Sequence, residues 1–197
     1  TANPYRIGVL GLGEGRSILS AALSSKRWEV ACVCDLDQEL CDSRKREFQL
    51  DCKGTTDYKE MLRREKVDVV GIFTPDHLHA DHILMALEAG KHVICTKPVV
   101  DDLSRGAELL RASKASSQQV FVGHGLRFFQ TFLRQREDFD QRIHGGLVSC
   151  EAHYNSDKRR GSAGSRGKKG EVNWLYSGLA HAVDLVQWYL GAIDEVS

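Results

Sequence analysis

Along the first 125 residues, short apolar runs alternate with segments of helical period, and this alternation constrains the fold more than any other feature of the chain. The runs are 6–10, 28–34, 67–73, 92–95 and 120–123; the helical segments are 17–24, 37–48, 58–65, 80–89 and 104–116. Strand, helix and strand in succession close as a parallel crossover. The pattern therefore predicts an α/β fold, a doubly wound parallel sheet of Rossmann type. Asp57 stands where the N-cap of the third helix belongs, and Gly90 where a left-handed residue ends the fourth.

Residues 126–197 read differently, as the first part of an incomplete α+β second domain. Residues 128–144 have helical period and stop at Gly145-Gly146. Residues 147–154 alternate like a strand, with Leu147, Ser149, Glu151 and His153 on one face. Glycine, serine and basic residues then fill 155–170, the composition of a loop. A long helix is expected over 174–190, ended by Gly191, and another strand is expected to begin at 193–197. One strand, a helix and a strand stub make a poor sheet. The expectation is therefore a piece of a larger protein that assembles as a homo-oligomer through this second domain.

The chain has 197 residues, 27 basic and 27 acidic side chains, and 42% hydrophobic residues. Balanced charge gives no general attraction to nucleic acid or to an anionic membrane, so neither is expected as a partner. No apolar run approaches the length of a membrane span. The six cysteines, Cys32, Cys34, Cys41, Cys52, Cys95 and Cys150, lack the paired spacing of a zinc site. Reduced thiols and a start that leads straight into a strand-like run give cytoplasmic as the expected location.

Gly11-Leu12-Gly13-Glu14-Gly15-Arg16 lies between the first strand and the first helix. Glycines there permit a tight turn and let backbone N–H groups approach a pyrophosphate. In the G-x-G-x-x-G pattern the third glycine would fall on Arg16, and Gly15 comes one position early. Asp35 closes the second strand about twenty residues further on, where a carboxylate takes the adenosine ribose hydroxyls. Its charge would repel a 2′-phosphate, which favours NAD over NADP. Arg16 is a counterweight, since a cation there could help an extra phosphate.

Residues 91–98, Lys-His-Val-Ile-Cys-Thr-Lys-Pro, bring a short β-branched run directly to Lys97 and Pro98. Proline cannot continue a sheet ladder and biases the lysine away from helical angles. The Lys97 ammonium is thus expected at the carboxyl end of a strand, the edge where open α/β sheets bind ligands.

Around that lysine, Thr74-Pro75-Asp76-His77-Leu78-His79-Ala80 follows the third strand, and Ala86-Leu87-Glu88-Ala89-Gly90-Lys91-His92-Val93 precedes Thr96-Lys97-Pro98. With Val122-Gly123-His124-Gly125-Leu126-Arg127-Phe128 and Ser177-Gly-Leu-Ala-His181-Ala-Val-Asp184, this succession resembles the glucose–fructose oxidoreductase / inositol dehydrogenase family (Gfo/Idh/MocA). The resemblance implies that Gly11, Gly13, Gly15, Arg16 and Asp35 hold the adenosine diphosphate half of NAD. It implies that Thr74, Pro75 and His79 line the passage to the nicotinamide, beside Thr96 and Lys97. Lys97 would bind the reacting hydroxyl, His181 would act as general acid/base, and Arg127 and Asp184 would face the substrate. The implied reaction is hydride transfer between NAD and a hydroxyl-bearing carbon of a sugar, inositol or related polyol. An imidazole suits the hydroxyl proton and an ammonium the developing alkoxide.

Two positions depart from the family. Thr96 replaces a glutamate, so a ribose contact is lost or becomes a hydroxyl. Ser177 replaces an aspartate and cannot supply the charge that would raise the histidine's pKa. On one helix, 177, 181, 184 and 188 form a stripe, so Ser177 could still meet His181. These departures favour an alternative, a non-catalytic NAD-binding regulator; a redox glycosidase using bound NAD is another. Asp76, His77, His79, Asp81 and His82 tempt a metal assignment, but only His79 and His82 share a helix face and no third ligand is evident. No metal is expected. The basic run from Lys158 to Lys169 reads as a solvated loop, and Trp174 and Trp188 as core or interface anchors.

Overall fold

The computed structural model describes residues 3–64, 66–155 and 174–195. The chain divides into two compact units, Thr1–Val122 and Gly123–Ser197.

The first unit is built on strands β1 (Tyr5–Leu10), β2 (Trp28–Cys34), β3 (Lys53–Thr55), β4 (Val69–Ile72), β5 (His92–Thr96) and β6 (Val120–Gly123). They form one sheet in the order β3-β2-β1-β4-β5-β6. Every pairing from β3 through β5 is parallel, with Ile7 opposite Val30 and Val69, and Val70 opposite Val93. The order reverses between β1 and β4, so a crevice opens at the carboxyl edge beside Leu10.

Helices α1 (Arg16–Leu23), α2 (Gln38–Glu47), α3 (Tyr58–Leu62), α4 (His79–Glu88) and α5 (Leu103–Ala115) link the strands. Side chains alternate along the strands, and the core divides accordingly into two layers. Ile7, Val9 and Val33 pack with Leu19 and Ala22 of α1 and Cys41 of α2. Leu10, Cys32, Cys34 and Val70 pack with Met61, Ile83, Leu87 and Leu109 of α3, α4 and α5. Burial keeps these thiols protonated, pushing Cys32 up to about 11 and Cys34 and Cys95 up to about 12.

Strand β3 carries little apolar pattern, and the sequence reading passes over it. Glu60 of α3 holds it, accepting from Lys53 Nζ at 2.9 Å and from the Thr55 hydroxyl, while Arg64 Nη2 donates to Glu60 at 2.7 Å. These donors hold the Glu60 carboxyl down at about 2. Asp57 caps α3, accepting from the Lys59 amide at 2.8 Å, and Gly90 follows α4 with φ +69°.

The second unit is helical as far as it is described. A 3-10 turn, Gly125–Phe128, leads into α6 (Gln130–Asp140), and α7 (Trp174–Ser177) is followed by α8 (Leu179–Leu190). Three expectations change. The helix expected over 174–190 is broken at Gly178, the N-cap of α8, where low helix propensity makes a break inexpensive. The strand expected over 147–154 does not form: 147–155 lie outside any ladder, and Val148 is 98% exposed. Alternation alone does not make a strand, because its backbone groups need a neighbouring edge. Residues 193–195 are likewise outside any ladder. The basic run Lys158–Lys169 and the Trp174 side chain lie outside the described residues.

Candidate active site

Strand β1 delivers the chain into the glycine loop at the carboxyl edge of the sheet. Gly11 takes φ +84°, and a Cβ there would stand 2.6 Å from the Phe73 carbonyl oxygen. A Cβ on Gly15 would stand 2.3 Å from the Gly11 carbonyl oxygen and 2.9 Å from Val9 Cγ1. Gly15 therefore does what the third glycine of the motif does, letting α1 close onto β1, one position earlier than the motif places it. Gly13 differs: a Cβ there would meet nothing within 4 Å. The loop is open at Gly13, and a pyrophosphate bound at the start of α1 would need such close backbone access.

The Asp35 carboxylate is oriented by that loop. Its Oδ2 accepts from the Leu12 amide at 2.7 Å and its Oδ1 from the Asp37 amide at 3.2 Å. A carboxylate oxygen can accept more than one hydrogen bond, so the group retains capacity for a ribose hydroxyl. Two residues that sequence reasoning missed adjoin it. Arg44 of α2 donates from Nε to the Leu12 carbonyl at 3.0 Å, so Asp35 and Arg44 grip the Leu12 residue by its N–H and its C=O. Glu47, one turn further along α2, accepts from Arg44 Nη1 at 2.8 Å and from Arg16 Nε at 2.6 Å. Those guanidinium groups hold the Glu47 carboxyl below the usual carboxylate range. The signal for both was their three-residue helical spacing, hidden in a run of charges that reads as a solvated face.

Across the switch point, the turn after β4 presents Thr74 and Pro75, the first buried and the second exposed. The Thr74 hydroxyl lies 3.0 Å from His82 Nδ1, and the Tyr58 hydroxyl donates to the His82 carbonyl at 2.8 Å. Burial pushes the His82 imidazole down, keeping a neutral ring against Thr74. His79 begins α4. Its ring is fully buried, with Nε2 2.7 Å from the Thr74 carbonyl oxygen and Nδ1 2.6 Å from that of Pro98. Both nitrogens face backbone, so the ring ties the turn after β4 to the turn after β5. Lys97 is the first residue beyond β5, half-buried, followed by the buried Pro98 through a cis peptide. Thr96 ends the strand itself. Gly11, Asp35, Thr74, Thr96 and Lys97 therefore all follow or end parallel strands at the same edge.

In the second unit, Arg127 and Asp184 are paired with each other. Arg127 Nε and Nη2 donate to the two carboxylate oxygens at 2.8 and 2.6 Å, and Asp184 is only 8% exposed. The Arg127 guanidinium also lies 5.5 Å from the Trp188 ring centre, and that of Arg136 5.6 Å from it. An occupied, bidentate pair orders α8 against the turn that carries Arg127. The expected stripe is shortened: 181, 184 and 188 share a face of α8, while Ser177 closes α7 on the other side of the break. Tyr154 is a further residue missed in the sequence, its ring centre 4.6 Å from that of His181. No sequence signal marks that contact, since it joins a segment without regular structure to a helix.

Among the described residues, no group of three or more His, Cys, Asp or Glu side chains could hold a metal ion. No helix among them is long and apolar enough to cross a membrane. The glycine loop, open at Gly13 and flanked by a ribose-type carboxylate, fits a dinucleotide.

Comparison with known proteins agrees. Residues 5–124 match the Gfo/Idh/MocA family, described as an oxidoreductase family with an NAD-binding Rossmann fold. The chain is 26% identical over 190 residues to a 2,7-anhydro-N-acetylneuraminate hydratase of Escherichia coli, covering 95% of this chain and 50% of that protein. It is 25% identical over 189 residues to an inositol 2-dehydrogenase of Salmonella paratyphi B, covering 94% and 54%. Its fold matches the crystal structure of scyllo-inositol dehydrogenase from Lactobacillus casei with bound NAD(H) and scyllo-inositol, with a TM-score of 0.82 and 20% identity over 95% of this chain and 56% of that one. The chain spans about half the length of the curated relatives it matches.

Proposed function

The chain belongs to the Gfo/Idh/MocA oxidoreductase family and carries its NAD-binding Rossmann fold, and from that premise we propose that it is the cofactor-binding part of a dehydrogenase. The enzyme moves a hydride between NAD and a hydroxyl-bearing carbon of a sugar, inositol or related polyol. The observation that carries this reading is Lys97, placed immediately after β5 at the same sheet edge as the glycine loop and Asp35. A binding module needs the loop and the carboxylate; it has no use for an ammonium at the reacting end of the cofactor.

NAD, when bound, supplies the hydride acceptor. Asp35 takes the adenosine ribose, the backbone around Gly13 admits the pyrophosphate, and Thr74 with Thr96 borders the nicotinamide end. The Lys97 ammonium holds the substrate oxygen and stabilises it as its proton leaves. In the second unit the His181 imidazole is a group of the kind suited to such a proton, and the Tyr154 ring lies against it, tilted by 33° with its centre 4.6 Å away. Arg127 and Asp184 order the helix that carries His181. The substrate is a small molecule, and assembly as a homo-oligomer through the second unit belongs to this proposal. An NADH absorbance screen over a polyol and sugar panel tests it. The result expected is NADH formation with at least one cyclic polyol or sugar, reduced on the order of a hundredfold or more in kcat by Lys97→Ala while NAD⁺ affinity stays within a few-fold.

A second reading is favoured by the likeness to a hydratase, a name that denotes addition of water without net oxidation. In that case NAD⁺ binds normally, substrate is consumed, and no NADH accumulates.

A further inference from the structure

Glu47 joins two arginines near the glycine loop, one at the start of α1 and one on its own helix. Arg16 opens α1 directly after the loop, and Arg44 reaches back from α2 to the carbonyl of Leu12. Leu12 is also the residue whose amide orients Asp35. Arg44 is thus linked to the Asp35 carboxylate through Leu12, and Arg16 through Glu47 and Arg44, at the end of the fold where an arginine accommodates a 2′-phosphate in NADP-binding relatives. Both are committed elsewhere. Arg16 donates through Nε to Glu47 Oε1 and pairs with it through Nη2, while Arg44 Nη1 takes Oε2. Both carboxylate oxygens of Glu47 are thereby occupied by arginine donors.

We infer that Glu47 is a determinant of cofactor choice: it engages Arg16 and Arg44 and so withholds from a 2′-phosphate the cations that would bind it. The inference rests on the dinucleotide-site reading given above. Discrimination then has two parts. Asp35 repels the phosphate directly, and Glu47 disarms the groups that would offset that repulsion. With Glu47 present, Asp35, Glu47, Arg16 and Arg44 balance in formal charge. Without the Glu47 charge, Asp35, Arg16 and Arg44 together carry one net positive charge, and the Arg16 fork is free to rotate toward an added phosphate while Arg44 stays tied to the Leu12 carbonyl. The Arg16 side chain is 61% exposed, so it meets little steric resistance to that rotation. The Phe48 ring, 5.8 Å from its guanidinium carbon, supports the stem.

The test is titration of the whole chain with NAD⁺ and NADP⁺ by calorimetry, for the unchanged protein and for Glu47→Gln, Glu47→Ala, Arg16→Gln and Glu47→Gln/Arg16→Gln. Unchanged protein should bind NAD⁺ more tightly. Glu47→Gln and Glu47→Ala should each tighten NADP⁺ binding about tenfold, the scale of one charge-assisted contact discounted for exposure, and leave NAD⁺ affinity within about twofold. The gain should shrink as salt rises, and Arg16→Gln in the Glu47→Gln background should remove a large part of it. Equal NADP⁺ affinity with and without the Glu47 charge overturns the inference, as does a gain that Arg16→Gln leaves intact. Failure of the unchanged protein to bind either dinucleotide would instead contradict the underlying site reading, so the two failures are separable. Glu47 lies on the surface of α2, and a melt of each variant that matches the unchanged protein excludes misfolding as the cause.

Discussion

The two units of this chain bury their apolar residues very differently. In the first, the strands of a parallel sheet are covered on both faces, and Val9, Val33, Val70, Val93, Leu19, Met61 and Ile83 have essentially no exposure. In the second, Ala182, Asp184 and Leu185 are the buried members among the described residues, while Phe128, Phe129, Leu175 and Ile193 are at least half exposed. A βαβ unit supplies its own cover, because each crossover helix lands on the strands it connects. Among the described residues of the second unit, polar contacts add to this burial. Arg127 and Asp184 are the strongest of these, with Trp188 beneath the arginine.

The largest expected effects lie in the first unit. Gly15→Val would drive side-chain carbons into the Gly11 carbonyl and Val9, and chemical denaturation should show a loss of about 3 kcal/mol or more, or no folded first unit. Gly13→Ala is its counterpart. With open space at that Cβ, stability should stay within about 0.5 kcal/mol while NAD⁺ affinity, read by calorimetry, drops. If both substitutions unfold the protein equally, the assignment of Gly13 to a ligand and Gly15 to packing is wrong.

Core truncation sharpens the contrast next. Ile83→Ala, at a fully buried position, should cost about 3–4 kcal/mol, and Leu185→Ala, at 8% exposure in a thinner core, about 1–2 kcal/mol. Urea unfolding followed at the two sites separately should show the first substitution moving the transition of its own unit. Equal costs would break the comparison.

Asp184→Asn should destabilise the second unit by about 1–3 kcal/mol, because it removes the charge from a bidentate pair whose arginine remains partly buried. Hydrogen exchange of α8 amides is the readout, and unchanged protection there would show that packing alone holds the helix.

The smallest effect is a pH dependence at β3. Glu60 has a carboxyl held at about 2 in the folded chain, against 4.5 for the free group. A depressed folded value means its contribution is present above pH 4.5 and is lost as pH falls toward 2. Thermal melts of unchanged protein and Glu60→Gln should therefore differ slightly at neutral pH and converge across that window. A difference that persists below it would contradict the assignment.

Much of the first unit was legible because its signals are local. Runs of β-branched residues, the Asp57 cap and the glycine loop each act within a few residues of themselves. Strand β3 escaped because Lys53, Gly54 and Thr55 carry no apolar pattern; a helix residue five or more positions away, Glu60, holds them. At the site, Asp35 was legible from its spacing, whereas Arg44 and Glu47 were not, since only the folded packing of α2 against the loop separates them from other charges on that helix. For His79 the sequence shows a histidine near the candidate site but not that both ring nitrogens face backbone. In the second unit, alternation at 147–154 and continuous helical period at 174–190 misled for one reason: each needs a neighbour or an unbroken register that the pattern itself does not supply.

The claim on which the rest depends is that the first unit holds NAD along the carboxyl edge of its sheet. Amide hydrogen exchange of the whole chain with and without saturating NAD⁺ tests it directly. Protection should rise in four places: around 11–16, around 35–37, at Thr74 and Asp76, and at Thr96 and Lys97. Binding that leaves the glycine loop and Asp35 unprotected, or that protects only residues beyond Val122, would contradict it.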